Sequence, residues 1–163
     1  MVKEQLIELA HEARTLYWKI ARPRTYGVKV ALLDDADNLL MVRHAYGTQR
    51  WSLPGGGFKP KNEMPEQAAL REISEELSGI EVPHLSHIGS EVSRREHKRD
   101  MVMFYSGHIA VHGDGPEVRS PELHDVAMIP LVEVGLSPDD FSWTVHSAVA
   151  MLREARRTRN ETL

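Results

Sequence analysis

No cysteine occurs anywhere in the 163 residues. That absence excludes a disulfide framework, a thiolate metal site and a cysteine nucleophile. It leaves the compartment open, because secreted proteins without cysteine also exist. Long hydrophobic runs are missing too. No stretch approaches the ~18 consecutive apolar residues of a membrane span, so no membrane partner is expected. An excess of positive charge is likewise missing: 20 Lys and Arg stand against 24 Asp and Glu, a net charge of −4. A general nucleic-acid binder would be basic, so no nucleic-acid partner is expected. There are no repeats, low-complexity tracts or internal linkers. The first twenty residues, MVKEQLIELAHEARTLYWKI, carry scattered charge and no small-residue cleavage site. The sequence therefore predicts no signal peptide and, by default, a cytoplasmic location.

What is present fits one folded domain. Hydrophobic residues make up 41% and charged residues 27% of the chain, enough for a packed core with an ordinary polar surface. Leu6, Leu9, Ala10, Ala13, Leu16, Tyr17 and Ile20 recur at helical steps, which predicts an amphipathic helix over 3–19. Pro23 ends it, since the residue before proline leaves the α region. This gives an N-terminal helical segment (1–22), a main domain (23–157) and a tail (158–163) expected to fray. Within the domain, YGVKVALL (26–33) and 39–43 read as two strands of a hairpin around the Asp-rich turn 34–38. Further strands are expected at 85–92, 101–111 and 126–130. A turn of helix is expected near 131–134 and a last helix from Pro138 to about Arg157.

The most informative stretch is Gly57–Gly79, GFKPKNEMPEQAALREISEELSG, preceded by Gly55 and Gly56. A helix starting at Pro65 suits proline's fixed φ. Met64 would be its N-cap and offers no oxygen to the first amides. Ala69, Leu70, Ile73 and Leu77 form the expected apolar stripe, turned away from the glutamates. Gly79 is the expected residue just past the helix end. Glu72, Glu75 and Glu76 stand at i, i+3 and i+4, about 5–6 Å apart at Cβ. Like charges so placed repel, and they make sense around a hard divalent cation that takes oxygen ligands.

These residues resemble the signature of the Nudix hydrolases (MutT-like), G-x5-E-x7-R-E-U-x-E-E-x-G-U. Gly57, Glu63, Arg71, Glu72, Ile73, Glu75 and Glu76 fall in register. The ending departs from it: Ser78, Gly79 and Ile80 look displaced by one residue, which reads as a longer helix end. The resemblance implies an α/β/α sandwich with a mixed central sheet, here with an extra N-terminal helix. It implies hydrolysis of a diphosphate bond in a nucleoside diphosphate linked to another moiety X. Mg²⁺ would be the cofactor, with Mn²⁺ a possible substitute. Glu75, Glu76, Glu72 and the Gly56 carbonyl would be metal ligands, and Arg71 and Glu63 a supporting pair. Glu72 or Glu122 would be the general base, with Glu117 and Asp125 in the same later region, and another group or metal-bound hydroxide alone stays open.

Arg94 and Arg95, with Phe58 beside the glycines, are substrate-contact candidates; the bland alternative for the arginines is a solvated loop. Trp51 and Tyr46 could stack on a base or simply pack. His97 is a weak catalytic candidate, and the other histidines show no ligand spacing. The partner expected is a small nucleotide, and a homodimer stays open. Two other readings compete. One is a nucleotide-binding or sensor module without hydrolysis, although this chain keeps every box glutamate. The other is a diphosphate isomerase, disfavoured because that chemistry in the family uses a cysteine. Motifs of the NADH, coenzyme A, ADP-ribose and dinucleoside-polyphosphate types are not found. Nucleoside triphosphates and nucleotide sugars remain open as substrates.

Overall fold

The computed structural model describes residues 10, 12–14, 16, 17, 24–95 and 99–161. Within the helix expected over 3–19, the described residues 10, 12–14, 16 and 17 are helical. The rest of that expectation lies outside the described residues, as do His97 and Lys98.

Among the described residues the strands are, in chain order, β1 (Arg24–Leu33), β2 (Asn38–His44), β3 (Trp51–Ser52), β4 (Leu77–Ser78), β5 (Ile80–Glu81), β6 (Ser86–Ser93), β7 (Arg99–His108), β8 (Ala110–Val111), β9 (Glu117–Val118) and β10 (Leu123–Pro130). Helix α1 is Pro65–Glu76, α2 is Glu133–Leu136 and α3 is Trp143–Glu161, with a 3-10 turn at Pro138–Asp140. The main sheet runs β10-β2-β1-β7-β6, with β3 beside β2. β1 is parallel to β7 and antiparallel to β2, so the sheet is mixed. Alternation along the strands gives each face its own core. Val28, Val30, Leu32, Leu40 and Val42 pack under α1, against Ala68, Ala69 and Ile73. Ala31, Leu33, Leu39, Met41 and Phe104 pack under α3, against Val145, Ala148, Val149 and Leu152. The result is the expected α/β/α sandwich.

Several local expectations shift. β1 and β2 form the antiparallel hairpin and pair at Leu33↔Leu39, beside the turn. The earlier part of β1 instead bonds the glycine segment: Val28 N–H donates to the Gly56 carbonyl (2.9 Å), Val30 N–H to Pro54 (3.0 Å), and Phe58 N–H to Tyr26 (3.0 Å). Leu70, expected in the apolar stripe of α1, is 42% exposed, while Ala68 is fully buried. Ala68 and Ala69 with Ile73 line the inner face, and Leu70, another 100° round the helix, turns outward. Nor do the glutamates all lie away from that stripe. Glu76 follows Ile73 by three positions and is buried with it.

The displaced end of the box is not a longer helix. α1 stops at Glu76, and Leu77–Ser78 turn extended to pair with Val118 and Glu117. Leu77 is drawn into the core at 3% exposure. The Glu76 carbonyl is taken by the amides of Arg119 (2.9 Å) and Ser120 (3.4 Å). Gly79 therefore does not cap the helix. It makes the turn between two short strands at φ 76°, where a Cβ would run into the Gly115 carbonyl. At the other end of the chain, α3 continues to Glu161, with the Thr158 hydroxyl donating to the Glu154 carbonyl (3.1 Å).

Candidate active site

The glycine segment is a bent strip laid along β1. Gly55 adopts φ 121°, and a side chain there would collide with the Val28 carbonyl. Lys29 ties the strip down from below, its Nζ donating to the carbonyls of Leu53 (2.9 Å) and Gly55 (2.6 Å). Helix α1 holds the other side: Gly55 N–H donates to Glu76 Oε2 at 2.9 Å. Burial pushes the Glu76 carboxyl above the ordinary carboxylate range. The Lys29 charge and the Gly55 amide pull it back, and the charges of Glu72 and Glu122 add to the rise. Lys29 was missed by sequence reasoning. Its only signal was a lone lysine inside the apolar strand YGVKVALL.

Arg71 is the centre of the box. Its Nε and Nη2 grip both oxygens of Glu63 (3.0 and 2.8 Å), and its Nη1 reaches Glu72 (2.8 Å) and Glu75 (3.1 Å). Nη2 also approaches the Gly57 carbonyl at 3.4 Å. This two-pronged grip is the strong geometry for an arginine and a carboxylate. The hydrogen bond from Arg71 holds the Glu63 carboxyl below its ordinary range. Glu63 in turn leads the groups that raise Arg71, which stays charged. Glu72 stands against Gly56: a Cβ at Gly56 would lie 2.6 Å from Glu72 Oε2. Glycine at 56 thus clears the space in front of that carboxylate.

Glu122 arrives from the β9–β10 connection. The Arg119 amide anchors that connection to the end of α1, as described above, and Arg119 Nη1 bonds the Ser74 carbonyl (3.1 Å). The Tyr46 hydroxyl donates to Glu122 Oε2 at 3.3 Å. Burial first, and then the Glu122 charge, push the Tyr46 hydroxyl up, opposed by a hydrogen bond with Arg14 of the N-terminal helix. Glu122 thus joins Glu72, Glu75 and Glu76 in the wall of one cleft of about 1230 Å³. Glu117 and Asp125 do not line it. Glu117 pairs with Ser78 in β9, and the Asp125 carboxylate accepts the Val126 amide.

Of the substrate candidates, Arg95 lines the cleft and Arg94 does not. Phe58 touches the cleft edge but is only 7% exposed and packs edge-on against Tyr26 in the core. Trp51 lies outside the cleft wall, with the Arg43 guanidinium 4.2 Å over its ring. Lys59, Lys61 and Arg50, which sequence reasoning did not single out, line it.

The donor chemistry suits a hard divalent ion: the expected ligands Glu72, Glu75, Glu76 and Gly56 offer carboxylates and a carbonyl, with no sulfur and no imidazole. Glycine at 56 lets the Glu72 carboxylate lie close against the strip. As placed, Arg71 spreads the carboxylates, and no three acidic or histidine side chains converge on one point among the described residues. The Gly56 carbonyl already accepts the Val28 amide and keeps its second lone pair.

A family model described as NUDIX domain matches residues 23–151. No curated protein matches the chain. Among solved structures, the chain is similar to a MutT NUDIX hydrolase from Burkholderia pseudomallei, with 23% identity over 78% of this chain and 97% of that one, at TM-score 0.61. It is similar to the NUDIX domain of Shewanella oneidensis NrtR complexed with ADP ribose (19%, 81% and 88%, 0.66). It is also similar to a bifunctional NMN adenylyltransferase/ADP ribose pyrophosphatase from Francisella tularensis, complexed with AMP and a Mn ion (19%, 90% and 47%, 0.69). At these identities the likeness shows the fold.

Proposed function

The chain belongs to the NUDIX hydrolase family, and on that premise we propose that it hydrolyses a diphosphate bond in a nucleoside diphosphate joined to a further group, with a divalent metal. The observation that carries this is the Arg71 hub. One guanidinium holds Glu63, Glu72 and Glu75 against a glycine strip that is itself pinned by Glu76 and Lys29. A merely solvated helix face has no need of such order.

Glu72, Glu75, Glu76 and the Gly56 carbonyl would hold Mg²⁺, or Mn²⁺ in its place. The Francisella protein bound to AMP and Mn supports the choice of ion. The ion would neutralise the charge on the phosphate oxygens. The chain's own residues do the rest. Glu72, cleared by Gly56, accepts the proton of the attacking water. Glu122, on the same cleft, is the alternative base. Arg71 and Glu63 hold the carboxylates in place. Lys59, Lys61 and Arg95 supply positive charge along the cleft for the phosphates. The substrate class is a nucleoside triphosphate or nucleotide sugar.

The test is a panel of about twenty nucleoside diphosphate derivatives assayed with and without Mg²⁺ or Mn²⁺. At least one should be cleaved, and only with metal. In that assay Glu72→Gln should lower kcat by roughly 10²-fold or more. Unchanged turnover with metal still bound would move the base to Glu122. One observation favours a second reading, a nucleotide-binding module without turnover: Arg71 already occupies Glu72 and Glu75. Tight nucleotide binding with no cleavage across the panel would establish it.

A further inference from the structure

The glycine strip carries carbonyls of two kinds. Those of Pro54 and Gly56 face β1 and accept the amides of Val30 and Val28 (3.0 and 2.9 Å). Those of Leu53 and Gly55 alternate with them and point off that ladder. Both residues are buried, so these carbonyls need a donor from the protein. One side chain serves both: Lys29 Nζ donates to Leu53 at 2.9 Å and to Gly55 at 2.6 Å. Val28 and Val30 on either side of it pack under α1. Alternation sends the Lys29 side chain to the other face of β1, so the amine meets the strip from the face opposite α1.

Helix α1 grips the same residue from its own side, where Gly55 N–H donates to Glu76 Oε2 at 2.9 Å. Gly55 is thus clamped at its amide from one face and at its carbonyl from the other, at φ 121°. The Gly55 carbonyl shares a rigid plane with the Gly56 amide. Gly56 therefore hangs between two fixed planes: Lys29 holds the one before it, and the Val28 amide holds the one after it. Three successive glycines have wide backbone freedom, and a strip that is to present a carbonyl must lose it. The amine also works against an ion, because a cation near a bound divalent metal repels it. By charge alone, loss of Lys29 would tighten the metal. Loss of a tether would loosen it. The two effects differ in sign.

Resting on the hydrolase reading above, we propose that Lys29 is a positioning residue for metal binding, whose ammonium fixes the Gly55–Gly56 peptide and so the placement of the Gly56 carbonyl relative to Glu76. Mn²⁺ titrations followed by electron paramagnetic resonance read binding without substrate, with thermal melts confirming that each variant folds. Lys29→Met keeps the length of the side chain and removes its charge and donors. It should weaken Mn²⁺ about tenfold or more. Lys29→Arg keeps charge and donors and should bind within about threefold of wild type. Placement does not titrate, so the loss in Lys29→Met should be the same at about pH 7 and about pH 8.5. Without metal, the Gly55 amide of Lys29→Met should exchange with solvent at least about tenfold faster than in wild type. Ile109→Ala trims the core at the far end of β1, where the Ile109 amide bonds Leu33. It should lower the melting temperature and leave Mn²⁺ within about twofold.

Unchanged or tighter Mn²⁺ binding in Lys29→Met would overturn the proposal. An arginine variant as weak as the methionine one would do the same, and so would an equal loss in Ile109→Ala. A loss that vanishes at the higher pH would reduce Lys29 to a charge that keeps Glu76 ionised, and would also overturn it. Nucleotide cleavage with unchanged Mn²⁺ affinity in Lys29→Met sinks the role of Lys29 alone. The predicted Mn²⁺ losses without cleavage of any nucleotide by wild type sink the hydrolase reading alone. A wild-type chain that binds no Mn²⁺ at millimolar concentration sinks both.

Discussion

Gly56 and Gly55 are adjacent and bear opposite kinds of constraint. A methyl at 56 meets the movable end of Glu72, 2.6 Å away, whereas a methyl at 55 meets the Val28 backbone at φ 121°. Gly56→Ala should therefore displace a carboxylate and leave the fold intact. A shift of about 1 Å in a catalytic group costs up to about 10²-fold, so kcat should fall at least about tenfold with little change in melting temperature. Gly55→Ala should lower the melting temperature as well, because neither the backbone nor the φ angle can yield. Melts and steady-state rates on the two variants check the contrast, and equal stability losses would refute it. At this scale the sequence was legible where spacing alone sets the contact. Arg71 and Glu75 meet because a helix places i and i+4 together, as it does Glu72 and Glu76. Glu63, eight residues before Arg71, joins through a loop whose path spacing does not give.

Helix α1 shows what a capping residue decides. Met64 has the extended φ/ψ of an N-cap (−77°, 152°) but no side-chain cap bond, and it is 66% exposed. Gln67 compensates in part, its carboxamide oxygen accepting the Met64 amide at 2.9 Å. Met64→Ser adds the missing acceptor for the first-turn amides. It should stabilise the chain by about 1 kcal/mol, a rise in melting temperature of about 2–4 °C for a domain of this size. A drop in melting temperature would mean that Met64 packs in a way its exposure hides. The weak start of α1 was visible in the sequence. Its end was not, because the extended turn at Leu77 exists only to pair with β9, forty residues on. Leu70 and Ala68 changed places for a related reason. Near the edge of an apolar stripe, the neighbouring layer chooses which residue is covered.

Across the whole molecule, the β1–β2 turn is tied to the last helix by Asp37, whose oxygens take Arg156 Nη1 and Nη2 at 3.1 and 2.6 Å. The Arg156 hydrogen bond, with its charge, holds the Asp37 carboxyl below the ordinary carboxylate range. A depressed folded value means that this tie contributes fully above the unfolded carboxylate pKa and is lost as pH falls through the depressed value. The gap in urea midpoint between wild type and Arg156→Ala should therefore close as pH drops from roughly 6 to roughly 2. A gap that persists unchanged into acid would refute the linkage. The sequence by itself determined the register of the box, which rests on fixed spacing, and through the resemblance of that box the family and the sandwich. Tertiary structure decided the rest. Glu76 turned inward to hold the Gly55 amide, and Lys29 became the anchor of the glycine strip. Arg14, Tyr46, Glu122, Asp100, Arg95 and Trp143 came to one cleft from distant parts of the chain. The physical reason is that the cleft forms where strands pair out of chain order. β7 lies beside β1 although some sixty residues separate them, and no local pattern records that adjacency.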